Sequence, residues 1–171
     1  MYSLSQETEA DRLEVEALYD LSFAPGREAL SSYRLREGVA SVSGLNCVAR
    51  DTDGVLAGAI RYWPIRIGEQ LAAALLLGPI AVHPTRQGEG LGVILMTETL
   101  SSASALGWER VVLIGDAPYY GRFGFEKAPD LLFPPPTNPD RVLRKELKEN
   151  AFSGVYGTIY PETVYSSASK A

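Results

Sequence analysis

One cysteine and one histidine in 171 residues are too few for several kinds of chemistry. Cys47 cannot form an internal disulfide, so the cytoplasm is the expected compartment, and the thiol reads as an inert, buried strand residue. A protein zinc site usually needs three or four ligands that Cys47 and His83 cannot supply, and no metal is expected. A serine triad would have to use His83, which precedes Pro84 and has no G-x-S-x-G turn to serve. Long apolar runs are missing too. Nowhere do about 18 uncharged apolar residues occur together, and the opening MYSLSQETEADR has neither a basic cluster nor an apolar core. Neither a membrane span nor a secretory leader is expected. Positive charge is short as well: 16 Lys and Arg against 21 Asp and Glu leave a net charge of −5, the wrong sign for holding a polyanion. No nucleic-acid partner is expected, while a homodimer stays open.

What is present suits an ordinary folded domain. Hydrophobic residues make up 46% and charged residues 22%, and a single domain of 171 residues buries roughly 70% of its unfolded surface. Tyr2–Gln6 reads as a short strand. Thr8 and Asp11 then form a start like a capping box for a helix over 9–22, carried by Leu13, Ala17, Leu18 and Leu21. Pro25-Gly26 ends it, and a second helix is expected over 27–36 with Leu30, Tyr33 and Leu35 inward. Asn46–Arg50 and Val55–Ile67 are strands joined by the hairpin signal Asp53-Gly54. The following strand, Leu71–Val82, is almost wholly apolar and therefore central, and Gly78-Pro79 inside it predicts a bulge, because proline has no N–H for a ladder. Further on, a helix over 90–106 capped by Gly107, a strand over 108–114, a stiff Pro-rich connector over 130–138, a helix over 138–149 and a last strand over 154–160 complete the reading.

The segment GPIAVHPTRQGEGLG, Gly78 to Gly92, carries the functional signal. It joins the apolar strand to a helix through a glycine-dense turn, where free first-turn N–H groups and the positive end of the helix dipole suit an anion such as a diphosphate. Two nucleotide readings fail on spacing: Gly90-Leu91-Gly92 lacks the last glycine of a dinucleotide fingerprint, and no G-K-S or G-K-T occurs. A plain glycine-softened connection is the alternative.

The order strand, Gln87-x-x-Gly90-x-Gly92, helix resembles the GNAT superfamily of acyl-CoA-dependent N-acetyltransferases. A second element follows at the family's distance: after a strand at Val111–Ile114, Ala117-Pro118-Tyr119-Tyr120-Gly121-Arg122-Phe123-Gly124-Phe125 resembles the Y-x-x-x-G-F signature. The stretch from Gly115 to Phe125 and a proline-containing C-terminal extension look most like the bacterial YhbS-like branch. The resemblance implies an α/β fold with a single mixed, mostly antiparallel sheet, splayed at parallel strands 4 and 5 and flanked by helices. It implies one acyl-CoA N-acyltransferase domain over 1–171, in which 128–171 is an extension of connector, helix and strand. It also implies acetyl-CoA as donor, no metal, and a small-molecule or peptide amine as acceptor.

Residue by residue, the resemblance assigns the pyrophosphate to Gln87, Gly88, Glu89, Gly90, Leu91 and Gly92, and the pantetheine arm to backbone groups of Ile80, Ala81 and Val82. Asp116 stands where relatives often carry an asparagine that touches the cofactor. Tyr120 takes the place of the tyrosine that returns a proton to the leaving thiolate, a task suited to a phenol of pKa near 10, and Tyr119 is one residue out of register. Arg86 and Arg122 could pair with cofactor phosphates. Arg61, Trp63 and Arg66 read as core or solvated-face residues before a substrate wall. Many relatives place a base glutamate on the central strand, yet Leu71–Val82 has no ionisable side chain. Asp116, His83, Glu28 or a water chain are the candidates, His83 reading first as a turn residue. The apolar strand also keeps open a non-catalytic acyl-CoA-binding module, and a longer acyl-CoA or an acyl-carrier protein remains an alternative donor.

Overall fold

The computed structural model describes residues 1–23 and 31–169. Glu28, Leu30 and the first part of the helix expected over 27–36 lie outside that range. Among the described residues, fourteen α-helices and strands follow in chain order. They are β1 (Ser3–Gln6), α1 (Arg12–Ser22), α2 (Ser31–Arg34), β2 (Cys47–Arg50), β3 (Leu56–Ile67), β4 (Ala72–Val82) and α3 (Leu91–Ala105), then β5 (Arg110–Ile114), α4 (Ala117–Gly121), β6 (Glu126–Lys127), β7 (Leu131–Leu132), β8 (Val142–Glu146), β9 (Gly157–Pro161) and α5 (Glu162–Ser169). One mixed sheet runs β1-β2-β3-β4-β5-β8-β6, with β9 beside β3 and β7 beside β9. Within that main order only β4 and β5 are parallel.

Local chemistry explains most boundaries. Asp11 accepts the Thr8 N–H at 2.8 Å and opens a 3-10 turn at Glu9–Asp11 that feeds α1. Asp51 accepts the N–H groups of Asp53 and Val55 at 2.9 and 3.0 Å, which closes the turn between β2 and β3. Along α1 the stripe Val15, Leu18, Tyr19 is buried against Val48, Leu56, Ala59 and Ala81. Leu13 and Leu21, expected inward, are 76% and 58% exposed because they lie off that i, i+3, i+4 stripe.

On the opposite face of the sheet, α3 buries Leu91, Leu95, Met96 and Leu100 against Ile60, Tyr62, Leu75 and Leu77. Each fully buried leucine there contributes about 1.5–3 kcal/mol. Buried Thr99 donates its hydroxyl to Leu95 O at 2.6 Å and accepts from the Tyr62 hydroxyl at 2.8 Å.

The segment expected as a helix over 138–149 is instead a 3-10 turn, Pro139–Arg141, followed by strand β8. Asn138 caps the turn as a helix start would, its Oδ1 accepting the Asp140 N–H at 3.0 Å. The free edge of β5 then claims the chain, pairing Arg110–Ile114 with Val142–Glu146 and burying Val142 and Leu143. The last strand begins at Gly157 rather than 154, and α5 follows where no helix was expected. Arg66 holds α5 to β3 through a two-pronged pair with Glu162 at 2.9 and 3.1 Å.

Candidate active site

The bulge at Gly78-Pro79 is present, in a central strand. Ile60 opposes Ile80 but Tyr62 opposes Leu77, so β4 carries one extra residue where β3 passes Arg61. The extra residue flips the side-chain alternation of β4. Leu75 and Leu77 face α3, and so do Ile80 and Val82 beyond the bulge, while Ala81 turns to α1. Tyr19, fully buried on α1, donates its hydroxyl to Pro79 O at 3.1 Å and fixes the bulge from the α1 side.

Hydrogen-bond alternation then decides which backbone groups are available. His83 N–H donates to Ala57 O at 2.7 Å, which makes 57/83 and 59/81 the bonded pairs and points the groups of Ile80 and Val82 away from β3. They point at β5, but β5 pairs β4 only at Leu75/Val111 and Leu76/Val112. A gap opens past those rungs, with Ile80 and Val82 along one side. Ala81, expected to contribute with them, has its backbone groups turned to Ala59.

The glycine-dense turn follows at the end of β4. Gly88 and Gly90 have φ of +86° and +80° with open space where a Cβ would stand, so the backbone there is bare and left-handed. Gly92 is there for a different reason: a Cβ would come within 3.2 Å of the Tyr119 hydroxyl, and its absence lets α4 approach the first turn of α3. Leu91 contributes only its backbone, since its side chain is 1% exposed in the core. Gln87 reaches back to Val82 O at 3.5 Å, and Glu89 is exposed. Arg86 is committed to Asp51, Nη2 to Oδ2 at 2.5 Å, and faces the Tyr2 ring.

A cavity of about 770 Å³ fills the gap between β4 and β5. Tyr120 lines it, its ring packed edge-on against Tyr119 at 4.9 Å and Phe125 at 6.2 Å. Gly115 lies so close under that ring that a Cβ would collide with Tyr120 Cε2. Burial pushes the Tyr120 phenol above its ordinary value, helped by Tyr119 and opposed by the charge of Arg141. Asp116 is exposed at the same rim and caps α4, its Oδ2 accepting the Tyr119 N–H at 3.3 Å. His83 is outside the cavity and caps the turn at Pro84–Arg86, its Nδ1 2.8 Å from Thr85 Oγ1. Cys47, half-buried with its thiol pushed up by burial, is also remote from the cavity. Arg122 lies over the Tyr119 ring at 4.4 Å.

Several wall residues gave no sign of their role in the sequence. Arg36, 9% exposed, stacks at 4.4 Å on Tyr33 and at 5.6 Å on Trp63, with its Nη2 3.6 Å from where a Gly78 Cβ would be. Arg36, Tyr33 and Pro79 also line a recess of about 300 Å³ with Glu16, Arg61 and Trp63. Arg61 there is paired to Glu7 and Glu16, both at 2.7 Å. The connector 134–138 closes the far wall, tied to α2 by Ser31 Oγ to Thr137 Oγ1 and Arg34 Nη1 to Pro135 O, each 2.6 Å.

A family profile for the acetyltransferase (GNAT) domain matches residues 43–127, the stretch from before β2 to β6. Over 147 residues the chain is 32% identical to the N-acetyltransferase YhbS of Escherichia coli, covering 85% of this chain and 87% of that protein. The chain belongs to the GNAT family of N-acetyltransferases. A crystal structure of Escherichia coli YhbS in complex with CoA is similar to this GNAT enzyme at a TM-score of 0.80 and 30% identity, across 96% of this chain and 92% of that one. A GNAT acetyltransferase from Brucella melitensis, in complex with acetyl-CoA, is similar at 0.62 and 31%, across 74% and 83%. The GNAT fold expected from the two motifs is therefore the fold observed, with its sheet opened at the parallel pair. Among the described residues no helix is long and apolar enough to cross a membrane, and no cluster of three His, Cys or acidic residues could hold a metal.

Proposed function

We propose that this GNAT enzyme transfers an acetyl group from acetyl-CoA to a primary amine by direct attack within a ternary complex. The observation that carries the reading is the alternation on β4, which turns the main-chain groups of Ile80 and Val82 toward β5, with Ile80 lining the cavity beside Tyr120. Bound relatives support it, since YhbS holds CoA and the Brucella melitensis enzyme holds acetyl-CoA.

Acetyl-CoA supplies an activated acyl carbon and a thiolate leaving group. The first-turn N–H groups of α3, with the bare backbone of Gly88 and Gly90, receive its diphosphate. Ile80 and Val82 take the pantetheine arm as a further strand would, and the Ile80 N–H is the donor available to the thioester oxygen. As the amine nitrogen bonds to the acyl carbon and the C–S bond breaks, Tyr120 gives its proton to the sulfur and recovers one, through water, from the nitrogen. β4 offers no carboxylate as base, and holding the reactants together provides most of the acceleration.

Calorimetry with acetyl-CoA, followed by thiol release on a panel of amines, tests the reading. Saturable heat together with acceptor-dependent thiol release supports it. Absence of heat at millimolar acetyl-CoA would overturn it, and preference for a longer acyl-CoA or an acyl-carrier protein would replace the donor.

A further inference from the structure

The chain is acidic, yet among the described residues the ionisable side chains lining the large cavity, apart from tyrosines, are Arg36, Arg141 and Asp116. The acid is exposed at the rim, one of its oxygens accepting the Tyr119 N–H at the α4 cap, so the two cations outnumber it. The arginines stand on opposite walls: Arg36 beside Gly78 of β4, Arg141 beside Gly115 at the end of β5, whose N–H donates to Arg141 O at 2.9 Å. Arg50, Arg61, Arg66, Arg86 and Arg144 each sit against a carboxylate. Arg141 has no ion pair among the described residues, although its backbone is fixed at both ends by Gly115 N–H and Asn138 O. It is exposed and lines the same cavity as Tyr120. The phosphate-binding turn at 87–92 lies outside the cavity walls, so this cation is not placed to read the diphosphate.

Resting on the function proposed above, we propose that the acceptor amine carries its own anionic group, a carboxylate or a phosphate, and that Arg141 binds it opposite Arg36. Guanidinium is suited to either anion by its planar fork of donors. The same positive wall also does something for the nucleophile. An ammonium near guanidinium groups loses its proton more readily, which favours the neutral amine in a site where β4 offers no base.

Matched acceptors test this: β-alanine against β-alaninamide, and phosphoethanolamine against ethanolamine, with kcat and KM measured for each. At least one anionic member is expected to exceed its uncharged counterpart in kcat/KM by about tenfold or more, through KM. Arg141→Gln should shrink that ratio by about tenfold, Arg141→Lys should retain part of it, and calorimetry should show acetyl-CoA binding intact in both. Equal or better use of the uncharged members, an equal loss on both members in Arg141→Gln, or silence on all four with acetyl-CoA still bound would overturn the inference. Loss of acetyl-CoA binding by the parent protein would instead overturn the proposed function.

Discussion

The hydroxyl of Tyr19 donates to the carbonyl oxygen of Pro79 across 3.1 Å, linking α1 to the bulge that opens the site. Burial pushes this phenol far above its usual range, so it remains a neutral donor at any working pH. Tyr19→Phe removes the donor and strands a buried carbonyl, and is expected to cost about 1–3 kcal/mol in denaturant unfolding. It should also weaken acetyl-CoA binding, because Ile80 follows directly from Pro79. Unchanged affinity by calorimetry would show that the bulge holds its shape without α1.

Tyr120→Phe should lower kcat by at least about a hundredfold while leaving acetyl-CoA affinity within about twofold. The pH dependence has a definite sign. In the role proposed for Tyr120 the protonated phenol is the working form, and burial raises its pKa above the ordinary 10.0, so activity should hold through alkaline pH and fall only above 10. A limb well below 10 in the pH–rate profile that disappears in the phenylalanine variant would contradict this assignment.

Gly90→Ala places a side chain on a backbone held at φ +80°, a strain of about 1–2 kcal/mol. Nothing crowds that position, so the fold should survive. Thermal unfolding should register the strain, and the KM for acetyl-CoA should rise as the methyl group intrudes on the diphosphate turn.

Arg86→Gln is expected to change acetyl-CoA affinity by less than about twofold, because its guanidinium is already engaged by Asp51. Titration at low and moderate salt checks it. A large, salt-sensitive loss would mean that the arginine leaves Asp51 for the cofactor.

What the sequence made legible was chemistry tied to local backbone. Gly78-Pro79 announced the bulge, Gly88 and Gly90 the bare turn, and the order of the two motifs the family, because each depends on residues adjacent in the chain. The segment after Asn138 was misread for the opposite reason. Its cap and its Arg-Lys-Glu-Leu-Lys-Glu run favour helix locally, but β5 has an open edge that only the assembled sheet reveals, and Val142 and Leu143 are buried there. Arg36 was hidden similarly, since it closes a helix expected to turn Leu30, Tyr33 and Leu35 inward and carries no local signal of its own. Its burial depends on Trp63 and Gly78, which lie more than twenty and forty residues further along the chain. Arg141 acquires its place only when Gly115 bonds to it.

The two rungs between β4 and β5 are a seam between half-sheets, β1–β4 with β9 on one side and β5, β8 and β6 on the other. Arg110 rivets that seam, with Nη1 on Ala73 O at 2.9 Å and Nε on Ala151 O at 2.6 Å. Any widening of the mouth to admit a bulkier amine must therefore pivot about this short joint, and loosening the rivet should broaden the range of acceptor sizes.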